Sequence, residues 1–253
     1  MTSDLIEING LEKIYSVQGG QSIKALSDVN LTIREGEFIS VVGPSGCGKS
    51  TLLKILAGLL QRSRGTVLLR GTSIDGPRDD IGVVFQDAVL LPWKTIIENT
   101  LFPITIQRRK IVDYTQRAKD LLKMVGLAGF EDRYPFELSG GMQQRASITR
   151  AIIHDPAILL MDEPFGALDA LTRETMNVEL QRIWMESRKT IFFITHSIPE
   201  AVFLGDHVVL MSPRPGRIAS IFEISFPRPR PLEIMGTLDF GEIANEIRAQ
   251  LAS

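Results

Sequence analysis

Apolar and polar residues alternate over 5–15, 23–33 and 38–42, with turn residues at Gly19-Gly20 and Glu35-Gly36. That period predicts a mostly antiparallel strand region running into residue 43. Short strand signals follow at 66–69 and 81–85, separated by Asp75-Gly76-Pro77. From about Asp87 the pattern changes to helical spacing, over 95–101 and 111–125, until Gly126 and Gly129 interrupt it. A further helix is predicted over 140–154, with Ser139 as its N-cap. The runs 157–161 and 190–195 are continuously apolar and suit buried parallel strands, with a helix over 170–187 between them. The last forty residues hold a proline-rich stretch over 226–231, then a weakly amphipathic helix over 240–252.

Composition narrows this only at the edges. A formal net charge of −2 provides no global basic field to recruit nucleic acid. Arg108-Arg109-Lys110 and Arg228-Pro229-Arg230 read as solvated surface. One cysteine excludes an internal disulfide, and the apolar runs are too short to span a bilayer. The first residues, Met1-Thr2-Ser3-Asp4, lack the pattern of a secretion signal. Any membrane role is therefore expected to act through another chain.

The segment Gly43-Pro44-Ser45-Gly46-Cys47-Gly48-Lys49-Ser50-Thr51 matches G-x-x-x-x-G-K-[ST], with a strand-like run before it and a helical run after it. Its glycines let successive backbone N–H groups turn into one concavity, to which a helix N-terminus adds partial positive charge. Lys49 is placed to reach β- and γ-phosphates and the Ser50 hydroxyl to ligand Mg²⁺. The chain is expected to bind a nucleoside triphosphate. Asp162 and Glu163 end the apolar run 157–161, where open α/β sheets keep their chemistry. Asp162 is expected to hold Mg²⁺ and Glu163 to polarise the attacking water as a general base.

Leu138-Ser139-Gly140-Gly141-Met142-Gln143-Gln144-Arg145 opens another helix shortly before that acidic pair. In this combination the chain resembles the ATP-binding cassette (ABC) ATPases, whose signature is an L-S-G-G-Q-type sequence; Met142 replaces the commonest fifth residue. The resemblance implies an α/β fold: a P-loop NTPase core with a mostly parallel sheet, an N-terminal antiparallel β subdomain and an inserted α-helical subdomain. It implies one nucleotide-binding domain over 1–253, with core and β subdomain from 1–86 and 155–220. The helical insert and signature helix would occupy 87–154 and a tail 221–253. By the same resemblance Gln86 is the Q-loop glutamine near Mg²⁺ and the attacking water. Asp169, in Ala167-Leu168-Asp169, belongs to the D-loop; His196 is the switch histidine at the γ-phosphate, and Tyr15 stacks on adenine. His154 and His207 have no such placement.

The resemblance further implies ATP hydrolysis in a head-to-tail dimer, where Ser139, Gly140 and Gly141 of one copy close over the ATP held by the other's phosphate loop. The single cassette resembles the separate ATPase subunit of a transporter. The segment between Gln86 and Leu138 has no sustained heptads, against the long coiled coil of chromosome-maintenance relatives. A soluble, non-transport ABC ATPase is the alternative. Val209-Leu210-Met211-Ser212-Pro213-Arg214-Pro215-Gly216-Arg217-Ile218, followed by Phe226-Pro227-Arg228-Pro229-Arg230, and Leu91-Pro92-Trp93 are similar to the nitrate/sulfonate/taurine importer group. That likeness implies a permease dimer, a solute-binding protein acting indirectly, and a place on the cytoplasmic face of a bacterial membrane.

Overall fold

The computed structural model describes residues 4–16, 22–166 and 168–252. The turn expected at Gly19-Gly20 and the D-loop residue Ala167 lie outside the described residues. In chain order the elements begin β1 (Asp4–Ser16), β2 (Ser22–Arg34), β3 (Phe38–Val42), α1 (Lys49–Leu56), β4 (Arg64–Leu69) and β5 (Thr72–Ser73). Next come β6 (Ile81–Val84), α2 (Ile96–Ile106), α3 (Val112–Met124), α4 (Gly140–Ile152), β7 (Ile158–Asp162) and α5 (Ala170–Ser187). The chain ends with β8 (Thr190–Ile194), α6 (Ile198–Leu204), β9 (His207–Met211), β10 (Ile218–Glu223) and α7 (Leu238–Ala252). This is the α/β class that the resemblance implies. The chain divides into two compact units, Met1–Arg78 with Lys189–Ser253, and Asp79–Arg188.

In the first unit an antiparallel sheet runs in the order β2-β1-β4-β5. Its register follows the alternation: Ile6 pairs with Ile33 and Leu69, Ile8 with Leu31 and Val67, and all six are buried. Each such side chain contributes about 1.5–3 kcal/mol by leaving water. β3 lies in parallel between β8 and β9, Val41 pairing with Ile194 and with Val209, while β10 adds to β9 antiparallel. β3 and β8 are buried at every position, the signature of strands covered on both faces.

The proline-rich tail departs from expectation. Arg228 and Arg230 are not a solvated pair. Arg230 is 2% exposed and donates to the carbonyls of Val202, Phe203 and Gly205 at 2.8–2.9 Å, with longer bonds to those of Ile224 and Phe226. The last carbonyls of a helix have no partner within it, and this guanidinium serves those at the end of α6. Burial, with Arg228 next, lowers the Arg230 pKa to about 10. Arg228 pairs with Asp206 at 2.8 Å, and the other oxygen of Asp206 accepts the Phe38 N–H at the start of β3.

In the second unit β6 and β7 pair in parallel, Val84 opposite Met161, so both carboxyl ends point the same way. Thr95 and Glu98 form a reciprocal capping box on α2. That helix runs past the expected residue 101 and through Pro103, since Leu101 and Ile104 are buried on the face that it packs inward.

Candidate nucleotide site

The phosphate loop joins the end of β3 to α1 in the first unit. Gly46 has φ 74° and Gly48, the N-cap of α1, φ 113°; both lie in the left-handed region that favours glycine. A Cβ on Gly48 would also stand 2.7 Å from Leu26 Cδ2 and 3.1 Å from the Ala25 carbonyl. Glycine is thus required twice over, by conformation and by space. The Cys47 N–H closes a turn on the Pro44 carbonyl at 3.3 Å. Lys49 is 5% exposed, its ammonium donating to the carbonyls of Gly43 at 2.8 Å and Pro44 at 3.2 Å, with the Cys47 sulfur 4.0 Å away. Its compact charge sits inside the curve of the loop, as phosphate binding needs. Ser45 and Gly46 are exposed at the tip, while Gly43 and Cys47 are buried.

Tyr15, near the end of β1, reaches the same helix start. Its hydroxyl lies 3.4 Å from Thr51 Oγ1, and Lys13 Nζ stands 5.1 Å from its ring centroid. An aromatic ring beside the phosphate loop suits stacking on a purine base. His196 follows β8 and is exposed. The turn bearing it is built by its neighbours: the Thr195 hydroxyl donates to the buried Glu200 carboxylate and accepts the Ser197 N–H at 3.0 Å. Ser197 in turn caps α6 through the Glu200 N–H. Thr195 and Glu200 carried no motif in the sequence.

In the second unit Asp162 ends β7, and Glu163, the next residue, has φ 49°. A non-glycine residue there costs about 1 kcal/mol or more. The conformation turns the chain sharply, and the Glu163 carbonyl then accepts the Gly166 N–H at 3.0 Å. A Cβ placed on Gly166 would lie 3.3 Å from Gln86 Nε2 and 3.7 Å from Glu163 Cβ. Gln86 and Glu163, far apart in sequence, are therefore neighbours at the carboxyl ends of β6 and β7.

Ser139 caps α4, accepting the Met142 N–H at 3.4 Å, and Gly140 and Gly141 open the helix. Asp169 caps α5: its carboxylate accepts the Thr172 hydroxyl at 2.6 Å and the Thr172 N–H at 3.0 Å. Those two bonds hold its carboxyl below the usual carboxylate range. A Cβ on Gly141 would meet Thr172 Cγ2 at 3.3 Å, so the signature start and the cap of α5 lie side by side. Sequence reading missed Gln144 and Arg150, which tie α4 to the residues on either side of Gln86, Gln144 to the Phe85 carbonyl and Arg150 to those of Ala88 and Val89. Their only signal was a polar residue on the inward face of an amphipathic helix.

A family model described as ABC transporter matches residues 26–166. The chain belongs to the ABC transporter family. It is 50% identical over 225 residues to an uncharacterised ABC transporter ATP-binding protein of Methanocaldococcus jannaschii, covering 89% of this chain and 84% of that one. It is 46% identical over 224 residues to a taurine import ATP-binding protein of Pelagibacter ubique, covering 88% and 84%. Among solved structures, a dimeric post-hydrolysis ATP-binding cassette bound to ADP and Pi matches with a TM-score of 0.75 at 34% identity, over 88% of this chain and all of that one. As a family member with an intact phosphate loop, the chain is an ABC ATPase.

Proposed function

We propose that this ATPase powers import of a small solute, an anion such as nitrate, a sulfonate or taurine, through a separate membrane permease. Phosphates are held by the amides of Gly43, Pro44-Ser45, Gly46, Cys47, Gly48, Ser50 and Thr51 (Pro44 shaping the turn, having no N–H) and by Lys49. Tyr15 stacks on adenine. The curled loop, with its two left-handed glycines and the buried Lys49 ammonium, fits an extended anion. Ser50, Asp162 and Gln86 supply oxygen ligands of the kind Mg²⁺ takes. Mg²⁺ held by these residues would supply positive charge to offset the charge that develops on the phosphates. Glu163 polarises the attacking water and His196 faces the γ-phosphate. Ser139, Gly140, Gly141 and Asp169 serve ATP held by a second copy, in a head-to-tail dimer.

The observation that carries the transport reading is Trp93. It stands 70% exposed on the loop that starts at Gln86, beside Val89 at 58%. Two large apolar side chains in water, on a segment tied to a γ-phosphate sensor, suit a partner's helix. Among the described residues no helix is long and apolar enough to cross a membrane, so the partner provides the pore. Assembly on the permease places the subunit at the cytoplasmic face of a bacterial membrane; a solute-binding protein outside need never touch it. The test is co-purification from membranes, followed by measuring which solute the accompanying binding protein takes. Recovery without any polytopic protein would favour the soluble, non-transport alternative.

A further inference from the structure

The loop between β9 and β10 abuts the phosphate loop at two successive peptides. Arg214 donates through Nε at 3.3 Å and Nη2 at 3.2 Å to the Gly46 carbonyl. Two residues on, a Cβ at Gly216 would lie 2.0 Å from the Cys47 carbonyl. Gly216 is itself anchored, its N–H donating to the Ala25 carbonyl at 2.9 Å and its own carbonyl accepting the Ser27 N–H at 3.0 Å. The hairpin is closed by the Ser212 N–H on the Arg217 carbonyl at 3.0 Å and the Arg217 N–H on Ser212 Oγ at 3.1 Å. One face of the phosphate loop thus meets a fixed wall of backbone, with a charged fork reaching its tip.

The tip needs such a restraint. Lys49 holds the carbonyls of Gly43 and Pro44 from inside the curve but not that of Gly46. Gly46 is exposed and, lacking Cβ, moves easily between backbone wells. Rotation of its peptides would turn N–H groups away from the concavity. A planar fork with two donors on one oxygen resists that rotation, whereas an ammonium gives any one oxygen a single donor.

We propose that Arg214 is a positioning residue for nucleotide binding, pinning the Gly46 carbonyl so that the phosphate loop is held in its binding shape before phosphate arrives. The residue acts through the loop and not on the γ-phosphate. ATP and ADP should therefore depend on it equally, and the loss should fall on affinity through lost preorganisation.

The test uses the full chain with Arg214→Ala and Arg214→Lys, titrated with MgATP and MgADP by calorimetry, beside steady-state hydrolysis and thermal melting without nucleotide. Arg214→Ala is expected to weaken both nucleotides by one common factor, about threefold to tenfold. KM should rise in step, kcat should hold, and the melting temperature should stay put. Arg214→Lys should recover part of the affinity. Gly216→Ala, which drives a methyl against the Cys47 carbonyl, should weaken both nucleotides further. Unchanged affinity in Arg214→Ala, a loss confined to ATP, or a fall in kcat alone would overturn the proposal. So would a lysine variant indistinguishable from the parent, or an affinity loss matched by a lower melting temperature. If the parent chain itself bound no nucleotide, the ATPase reading would fail, independently of Arg214.

Discussion

The side-chain amide of Gln144, on α4, donates to the backbone carbonyl of Phe85 at 3.0 Å, one residue before Gln86. Arg150 on the same helix donates to the carbonyls of Ala88 at 2.8 Å and Val89 at 2.7 Å. Three carbonyls flanking Gln86 are thus fastened to the helix that Ser139 begins, a link through which a displacement of the loop is expected to reach the signature. Gln144 is 3% exposed, and Gln144→Leu would leave the Phe85 carbonyl short of a donor at a cost of about 1–3 kcal/mol. The expected outcome is a lower kcat with nearly parental ATP affinity, read by steady-state hydrolysis and calorimetry. A parental kcat would show that the tie does not transmit.

Glu163→Gln keeps the shape of the side chain and removes its basicity. Turnover should fall by about 10²–10⁴-fold while MgATP still binds, leaving an ATP-bound dimer detectable by gel filtration. Hydrolysis near the parental rate would remove Glu163 from the base role.

Shared sites predict complementation. Lys49→Ala removes the cation from the phosphate loop, and Ser139→Arg blocks the signature, so each homodimer has two damaged sites. The mixed dimer regains one site with an intact phosphate loop and an intact signature. Phosphate release should return in part on subunit exchange. Demonstrated heterodimers without recovery would argue for sites complete within one chain or for obligatory coupling of both.

Trp93→Ala removes a side chain that stands mostly in water. Permease assembly and solute uptake should weaken while hydrolysis by the isolated subunit stays largely intact. Unchanged uptake would take Trp93 out of the coupling surface.

Burial holds the His154 imidazole below its usual range; the Ile81 backbone and Asp79 oppose this, and Arg109 and Arg117 add to it. The unfolded chain therefore takes up the proton near pH 6.5, where the folded chain does not. Between the two pKa values the unfolded state binds more protons, so stability rises with pH there. Its contribution is complete above about pH 6.5 and fades as pH falls toward the folded value. Urea midpoints at pH 7.5 and 5.5 should differ less in His154→Gln than in the parent; an equal difference would exclude His154 as the source.

What could be read without coordinates was chemistry encoded locally. Lys49 must follow Gly48 to reach the loop carbonyls, and Ser139 must precede Met142 to cap α4; both relations span a few residues. The strands β9 and β10 and the short helix α6 were not anticipated, because each is brief and lies among turn residues. The ties that brace the site were equally hidden. Gln144 meets Phe85 across 59 residues and Arg214 meets Gly46 across 168, distances over which periodicity has nothing to say. Arg230 looked like surface because charge usually is; only the free carbonyls at the end of α6 make a buried guanidinium stable there.

β3, buried at all five positions and apolar at all but Ser40, ends at Val42, and its first partner, β8, begins at Thr190. During synthesis the ribosome must add the whole intervening stretch before either parallel neighbour exists, a wait of roughly 7–30 s at ordinary elongation rates. For that time the strand leading into the phosphate loop stays unpaired on both edges, a surface open to chaperones and to the same strand on neighbouring nascent chains. The yield of native protein should therefore hinge on how long translation leaves that strand waiting.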